Sequence, residues 1–201
     1  EQMATGSRLE QALAWLADRP DIDEVILSGG DPLSLSDRRL AELLGELAAI
    51  PHLRRLRIHT RLPVVEPARL TARLRALLAD QRWQSVLVLH ANHGRELSAD
   101  LEAGLAPLRG AGVTLLNQAV LLQGVNDSAD ALADLGERLF AAGVLPYYLH
   151  LLDPVDGAAH FEVDEAVARS LHDQLRARLP GYLVPRLVRE QSGAPAKTVL
   201  A

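Results

Sequence analysis

The architecture follows from one stretch, Asp23-Glu24-Val25-Ile26-Leu27-Ser28-Gly29-Gly30-Asp31, in which an apolar run passes directly into two glycines and a carboxylate. The arrangement recurs along the chain, because each apolar run ends in a polar or glycine cluster and is followed by an amphipathic segment. Runs rich in Val, Ile and Leu without clean alternation are typical of strands buried on both faces. The sequence therefore predicts about five strands, at Asp23–Leu27, Arg54–His59, Ser85–His90, Val113–Leu121 and Leu145–Leu151.

The segments beside these runs carry helix signals. Four helices are predicted to begin at a capping serine or a first-turn proline, namely Ser36, Pro67, Ser98 and Ser128. Gly112 and Gly143 stand where a glycine commonly ends a helix. Leucines spaced three and four residues apart give these helices an apolar face. Two further helices are predicted around Leu9–Leu16 and Val167–Leu175.

Alternating strands and helices imply parallel strands joined by right-handed crossovers, in either a (β/α) barrel or a doubly wound sheet. Polar residues follow all five runs, at Ser28–Asp31, Thr60–Arg61, His90–His93, Asn117–Gln118 and His150–Asp153. A barrel builds its active site from several strand ends at one rim, whereas a doubly wound sheet uses a single crevice. We therefore predict an α/β fold, a partial barrel that forms one domain over residues 1–201.

Composition narrows the functional classes. With 21 Lys and Arg against 26 Asp and Glu, the chain lacks the basic excess of a nucleic-acid-binding or membrane-surface protein. No apolar run approaches the roughly 20 residues that cross a bilayer, and the start lacks the form of a signal peptide, so we expect a cytoplasmic protein. The chain has no cysteine, and its single lysine is Lys197. Chemistry that needs a side-chain amine must therefore use Lys197.

Two strand-end motifs have both a functional and a structural interpretation. Gly29 and Gly30 let a ligand approach the backbone and Asp31 could hold an ammonium group, but an ordinary βα turn is the alternative. His90 and His93 resemble a metal pair, yet no third ligand is evident. His90 is therefore expected either to hydrogen-bond a ligand or to be structural, and a zinc hydrolase using both histidines ranks last.

Three further motifs carry similar alternatives. Asn117 and Gln118 lie in an apolar run, where an unpaired amide costs about 1–3 kcal/mol, so they either contact a ligand or brace the strands. Asp153 suits an amine or guanidinium partner, or else caps a turn. Lys197 lies in a Gly/Pro-rich segment that could bring its amine to an aldehyde cofactor, unless it is a surface lysine.

Together, these motifs resemble those of the radical S-adenosylmethionine (SAM) lysine 2,3-aminomutases over nearly the whole chain. The matching segments follow the order and spacing of that family: Ile26–Leu33, Arg57–Val65, Asn117–Asp127, Pro146–Tyr148, Gly157–Phe161 and Gly181–Pro185. The stretches Tyr148–Asp153 and Gly157–Phe161 resemble the branch that makes (R)-β-lysine for modifying elongation factor P.

The resemblance implies an isomerase that converts L-lysine to β-lysine with SAM, pyridoxal 5′-phosphate (PLP) and a [4Fe–4S] cluster. Lys197 matches the lysine that holds PLP, and Asp153 and Glu190 match acids that bind the side-chain ammonium of the substrate. The positions that match SAM contacts are Gly29, Gly30, Asp31, Thr60, His90 and Gln118.

The chain also departs from the family. The family holds its cluster with three cysteines, Cys-x-x-x-Cys-x-x-Cys, after its first strand, and this chain has none. The glycine-rich loop before the PLP lysine is reduced to Gly193–Ala196. The resemblance therefore implies a radical SAM partial barrel lacking its first strand and cluster loop, inactive alone and without metal ligands. The alternative is a catalytically silent fragment that only binds PLP or SAM.

Overall fold

The computed structural model describes residues 6–80, 82–154, 156–191, 193 and 196–201. Within these ranges helices and strands alternate. The helices are α1 Ser7–Ala17, α2 Asp37–Ala48, α3 Leu62–Val65, α4 Ala72–Leu78, α5 Ala99–Gly110, α6 Ala129–Ala141 and α7 Glu165–Arg178. The strands are β1 Glu24–Leu27, β2 Arg55–Thr60, β3 Gln84–His90, β4 Thr114–Val120, β5 Leu145–His150, β6 Arg186–Arg189 and β7 Thr198–Val199.

The five predicted strands are confirmed as β1 to β5. The predicted number is nevertheless too low, because β6 and β7 follow the last helix. The four-residue β6 begins and ends in arginine, and β7 is two residues long, so neither has the long apolar run that identifies a buried strand.

The chain divides into two compact units, and the first comprises the residues up to Leu89 together with Ala103–Leu115. Its strands are parallel, with Val25 opposite Leu56 and Ile58 opposite Leu87. Alternate residues of β2 are buried, and the apolar face of α2 is buried as well. Burying each Leu or Ile contributes about 1.5–3 kcal/mol, so these faces fix the positions of the strand ends.

The second unit comprises His90–Glu102 and Leu116–Ala201. Here β4, β5 and β6 are parallel, and β7 is antiparallel to β6. The register between β4 and β5 shifts, since Asn117 lies opposite Pro146 whereas Gln118 lies opposite Tyr148. Tyr147 is thus an extra residue, and bulges of this kind re-aim the side chains that follow. After the bulge, Tyr148 and His150 share one face of β5 because side chains alternate along a strand.

Most predicted helix boundaries are confirmed. The Ser36 and Ser128 hydroxyls accept hydrogen bonds from the backbone N–H groups of Arg39 and Ala131, as N-caps do. The hydroxyl of Ser98 accepts in the same way from Leu101. Gly112 and Gly143 follow α5 and α6 with φ of 84° and 76°, a left-handed conformation that glycine adopts without strain.

The predicted start at Pro67 is wrong. Pro67–Arg69 forms a separate 3-10 turn, and α4 begins only at Ala72, where the Thr71 hydroxyl accepts from Leu74 N at 3.0 Å. The side chain of Arg69 donates to the carbonyl oxygens of Leu33 and Leu35 at 2.6 and 2.9 Å. These long-range hydrogen bonds of Arg69 keep Pro67–Arg69 out of α4, although a proline is compatible with the first turn of a helix.

Candidate functional site

The first unit contains a glycine-turn cluster, defined as Ser28–Asp31 with Thr60–Leu62. Gly30 has a φ of 53°, and Ser28, Gly29 and Gly30 are all exposed. The chain therefore needs glycine at position 30 to turn after β1. This turn presents its backbone to solvent directly after the strand.

Asp31 ties this turn to the end of β2. One carboxylate oxygen accepts hydrogen bonds from Leu33 N at 3.0 Å and the Thr60 hydroxyl at 2.6 Å. The other accepts from Arg61 N at 2.7 Å and Leu62 N at 2.9 Å. Four internal donors occupy the acceptor positions of this carboxylate, so the structural interpretation is favoured for its side chain. The backbone of Gly29 and Gly30 is the part of the cluster that is exposed to solvent.

Asparagines fix the strand ends of the second unit. Asn117 is buried and bonds both backbone groups of Ala91, accepting from its N–H at 2.9 Å and donating to its carbonyl at 3.0 Å. Asn92 accepts from Val120 N at 2.9 Å, and Asn126 donates to the Asn92 carbonyl at 2.7 Å. Of the two interpretations of the Asn117–Gln118 pair, bracing therefore applies to Asn117.

His93 is occupied by its own turn. Its Nδ1 accepts from Arg95 N at 3.1 Å, and the Glu96 carboxylate returns to accept from the N–H groups of Asn92 and His93. This is a capping box on the 3-10 turn Gly94–Glu96. Across the described ranges, no group of three or more His, Cys, Asp or Glu side chains could hold a metal ion. The zinc-hydrolase alternative has no support in this geometry.

The second unit also contains an amine cluster, defined as His90, Gln118, Tyr148, His150, Glu190 and Lys197. Lys197 precedes β7 and Glu190 follows β6. Because Val188 lies opposite Val199 and Arg189 opposite Thr198, the same antiparallel register brings Glu190 opposite Lys197. The Lys197 ammonium donates to Glu190 Oε2 at 2.6 Å and lies 5.9 Å from the ring centroid of Tyr148.

His150 is a buried imidazole within this cluster. Burial lowers its pKa from about 6.5 to about 4, helped by the positive charge of Lys197 and by His90, and opposed by the negative charge of Glu190. His150 is therefore neutral at pH 7, so it can accept or donate a hydrogen bond without adding charge beside Lys197.

Two buried polar atoms of the amine cluster have no hydrogen-bond partner among the residues that the structure describes. They are Gln118 Oε1 and His150 Nε2. Most buried polar side-chain atoms in proteins are hydrogen-bonded to protein or water, so a bound group is one explanation for each exception. Gln118 Oε1 is thus available to a ligand, whereas the side chain of Asn117 is occupied by Ala91, and the ligand contact of Gln118 stays a prediction.

The structure brings together some of the predicted site residues. Asp31 contacts Thr60 in the first unit, and Glu190 contacts Lys197 in the second. Asp153 is exposed just past the end of β5, and its role stays a prediction. Sequence reasoning gave no role to His150 or Tyr148. The sequence feature that could have indicated them is a histidine at a strand end shortly after a Tyr-Tyr pair. The bulge in β5 that places Tyr148 and His150 on one face is not evident from the sequence.

Within the described part of the chain, no helix is both long and apolar enough to cross a membrane.

Comparison with known proteins confirms the resemblance found in the sequence. No protein-family model matches the chain. The L-lysine 2,3-aminomutase of Escherichia coli is 52% identical over 191 residues, which are 95% of this chain and 56% of that protein. The L-lysine 2,3-aminomutase of Haemophilus influenzae is 50% identical over 94% of the chain, and that of Clostridium subterminale is 35% identical over 95%. The chain spans about half the length of these curated relatives.

Solved structures confirm the fold. A radical SAM methyltransferase from Sphaerobacter thermophilus superposes with a TM-score of 0.64 at 19% identity, covering 93% of this chain and 58% of that one. Streptococcus suis SuiB, solved with S-adenosylmethionine bound, also gives 0.64, at 13% identity and over 96% of this chain and 46% of that one. The chain therefore shares the α/β partial-barrel fold of these two structures.

Proposed function

We propose that this chain is the cofactor- and substrate-binding part of a lysine 2,3-aminomutase, the isomerase that moves the amino group of L-lysine from carbon 2 to carbon 3. The observation that carries the proposal is the 52% identity to the E. coli L-lysine 2,3-aminomutase over 191 residues. The amine cluster supports it independently, because the single lysine lies beside a neutral buried histidine.

The residues of the chain fit two of the three implied groups. For PLP the fit rests on the Lys197 amine and the unpartnered His150 Nε2, and for SAM on Gln118 Oε1 of the same unit. For a [4Fe–4S] cluster they do not fit, since the 201 residues contain no cysteine, and we assign no step to it. When bound, SAM and PLP supply the radical and the electron sink of the amino shift, and the protein supplies orientation.

In this proposal Lys197 anchors PLP covalently, and His150 holds a hydrogen bond at Nε2 in its neutral form. Asp153 and Glu190 bind the side-chain ammonium of the substrate lysine, since carboxylates are its natural partners. Such positioning excludes other reactive geometries and lowers the entropic part of the barrier.

The SAM-binding residues would act in two ways. Gly29 and Gly30 offer backbone groups, while Gln118 and His90 offer side-chain groups at strand ends. Asp31 and Thr60 bond to each other, so we propose that they hold the glycine turn in position rather than bind SAM through their side chains.

Trapping of the cofactor tests the proposal. The chain is incubated with PLP, reduced with borohydride and digested, and the modified peptide is identified by mass spectrometry. We expect one pyridoxyl group, on Lys197, and none in Lys197→Ala or Lys197→Arg. Absence of label on wild-type Lys197 would remove the basis of the proposal.

A chimera tests the activity. The matching 191 residues of the E. coli L-lysine 2,3-aminomutase are replaced by those of this chain, and β-lysine is measured by chromatography. We expect turnover, and its loss in the Lys197→Arg chimera. Because the sequence resembles the elongation factor P branch, we expect the (R) product, and chiral chromatography would detect the (S) product if that assignment fails.

A second candidate function follows from the missing cysteines: the chain by itself binds PLP or SAM without turnover. The chimera separates the two candidates. β-Lysine formation by the chimera supports the aminomutase proposal, whereas PLP attached to Lys197 without turnover even in the chimera supports the silent-binding candidate.

A further inference from the structure

The Glu190–Lys197 ion pair is built into the backbone. The two residues extend the register of β6 and β7, and directly opposed residues of antiparallel strands have Cβ atoms about 4.5–5.5 Å apart. The Lys197 side chain is 28% exposed and that of Glu190 57%, so the pair lies at the solvent-facing edge of the amine cluster.

The pair conflicts with the roles that the proposed function gives to its members. Lys197 must give up its ammonium form to bond PLP, and Glu190 must bind the ammonium of the substrate. In the structure Glu190 Oε2 instead holds the ammonium of Lys197 at 2.6 Å. The chain's own lysine thus occupies, on this carboxylate, the position predicted for the side chain of the substrate, which is also a lysine.

We infer that Glu190 binds two ammonium groups in turn, that of Lys197 before PLP is attached and that of the substrate afterwards. The inference rests on the proposed function and adds an order to it. Attachment of PLP converts Lys197 from a competitor into a covalent anchor, so the ammonium site on Glu190 becomes available to the substrate only after the cofactor is loaded. Linkage requires the coupling to be mutual, so a charge at Glu190 that retains Lys197 also opposes loading of PLP.

The covalent step balances without another reactant. The Lys197 ammonium leaves Glu190 and releases one proton to water. Its nitrogen then forms a carbon–nitrogen double bond with the aldehyde carbon of PLP, and the aldehyde oxygen leaves as water with the two remaining amine protons. Lys197 no longer carries an ammonium group that can compete at Glu190.

The first test measures PLP loading on the complete chain. Wild type, Glu190→Gln and the charge-matched control Glu162→Gln are titrated with PLP, and the labelled fraction of Lys197 is quantified after borohydride reduction. An exposed ion pair contributes about 0.2–1 kcal/mol, so Glu190→Gln should reach half-saturation at about 1.4- to fivefold lower PLP. The advantage should shrink with added NaCl, because salt screens the pair that wild type must break.

Glu162 is an exposed carboxylate of the same unit, and its removal reports any general gain in attraction for the anionic cofactor. Equal half-saturation in Glu190→Gln and wild type would overturn the inference, as would an equal shift in Glu162→Gln. If wild-type Lys197 is labelled and either of these two results is found, the inference is overturned but the proposed function is not. Absence of label in wild type would overturn both the inference and the proposed function. Circular dichroism melting checks that the isosteric variant is folded.

The second test uses the chimera and measures two quantities that should change in opposite directions, the KM for lysine and the PLP concentration at half-saturation. In Glu190→Gln the KM for lysine should rise about 1.4- to fivefold while half-saturation by PLP falls. A role confined to the substrate would raise KM and leave PLP loading unchanged, and a role confined to Lys197 would do the reverse. Either single shift contradicts the inference.

Discussion

Replacing Asp31 by asparagine tests whether this carboxylate is a structural tie. Four donors end on its two oxygens. An amide offers one acceptor oxygen, so either orientation leaves at least one backbone N–H without its partner, and the other bonds lose their charge. A hydrogen bond to a charged group contributes about 1.5–3 kcal/mol, and the site is half-exposed, so we expect Asp31→Asn to lower the free energy of unfolding by about 2 kcal/mol. Asp31→Ala, which removes all four bonds, should cost about 4 kcal/mol at about 1 kcal/mol each.

The assay is urea unfolding followed by circular dichroism, with unchanged m-values as the sign that the comparison is valid. Asp21→Asn, at an exposed loop position, is the matched control and should stay within about 0.5 kcal/mol of wild type. If Asp31→Asn is as stable as this control, Asp31 is not a structural tie, and its carboxylate becomes a candidate ligand group again.

Two further predictions concern the second unit. The folded-state pKa of His150 is depressed to about 4, so between pH 6.5 and 4 the unfolded chain binds a proton that the folded chain does not. The free energy of unfolding should therefore decrease as the pH is lowered through this window, by about 2 kcal/mol from pH 7 to pH 5. Urea unfolding at both pH values measures the loss, and an undiminished loss in His150→Gln would refute the assignment to this side chain. Asn117→Ala leaves both backbone groups of Ala91 unpaired and should cost about 2–4 kcal/mol, whereas Asn117 truncation with no change in melting would contradict the bracing role.

The strands that could be predicted from the sequence are those whose burial leaves a continuous apolar run. Asp23–Leu27 and Val113–Leu121 are identifiable from their apolar runs, although Ile26 of β1 is exposed and burial alternates along β4. The four residues of β6 and the two of β7 leave no such run, since their pairing is a long-range event that local composition does not encode. The displaced start of α4 has the same cause, because Arg69 is anchored by carbonyl groups distant in the sequence.

The candidate site shows a similar division. Strand-end polar residues could be identified one at a time, since each follows its own apolar run. The sequence does not show which of them bond to one another. Asp31 and Asn117 hold backbone groups, whereas the side-chain oxygen of Gln118, adjacent to Asn117, has no partner among the described residues. The face shared by Tyr148 and His150 depends on a single extra residue in β5, which periodicity alone misses.

The hairpin of β6 and β7 has a thermodynamic consequence for anything that attaches to Lys197. The second strand of this pair has only two residues, so the pair should open locally at a much lower free energy than the core strands. Its amide protons should therefore exchange early. A molecule that is bonded to Lys197 and also contacts the rest of the unit stabilises the pairing of β6 with β7. Part of its binding energy therefore goes into closing the hairpin, and protection of the Thr198 and Val199 amides becomes a direct report of occupancy.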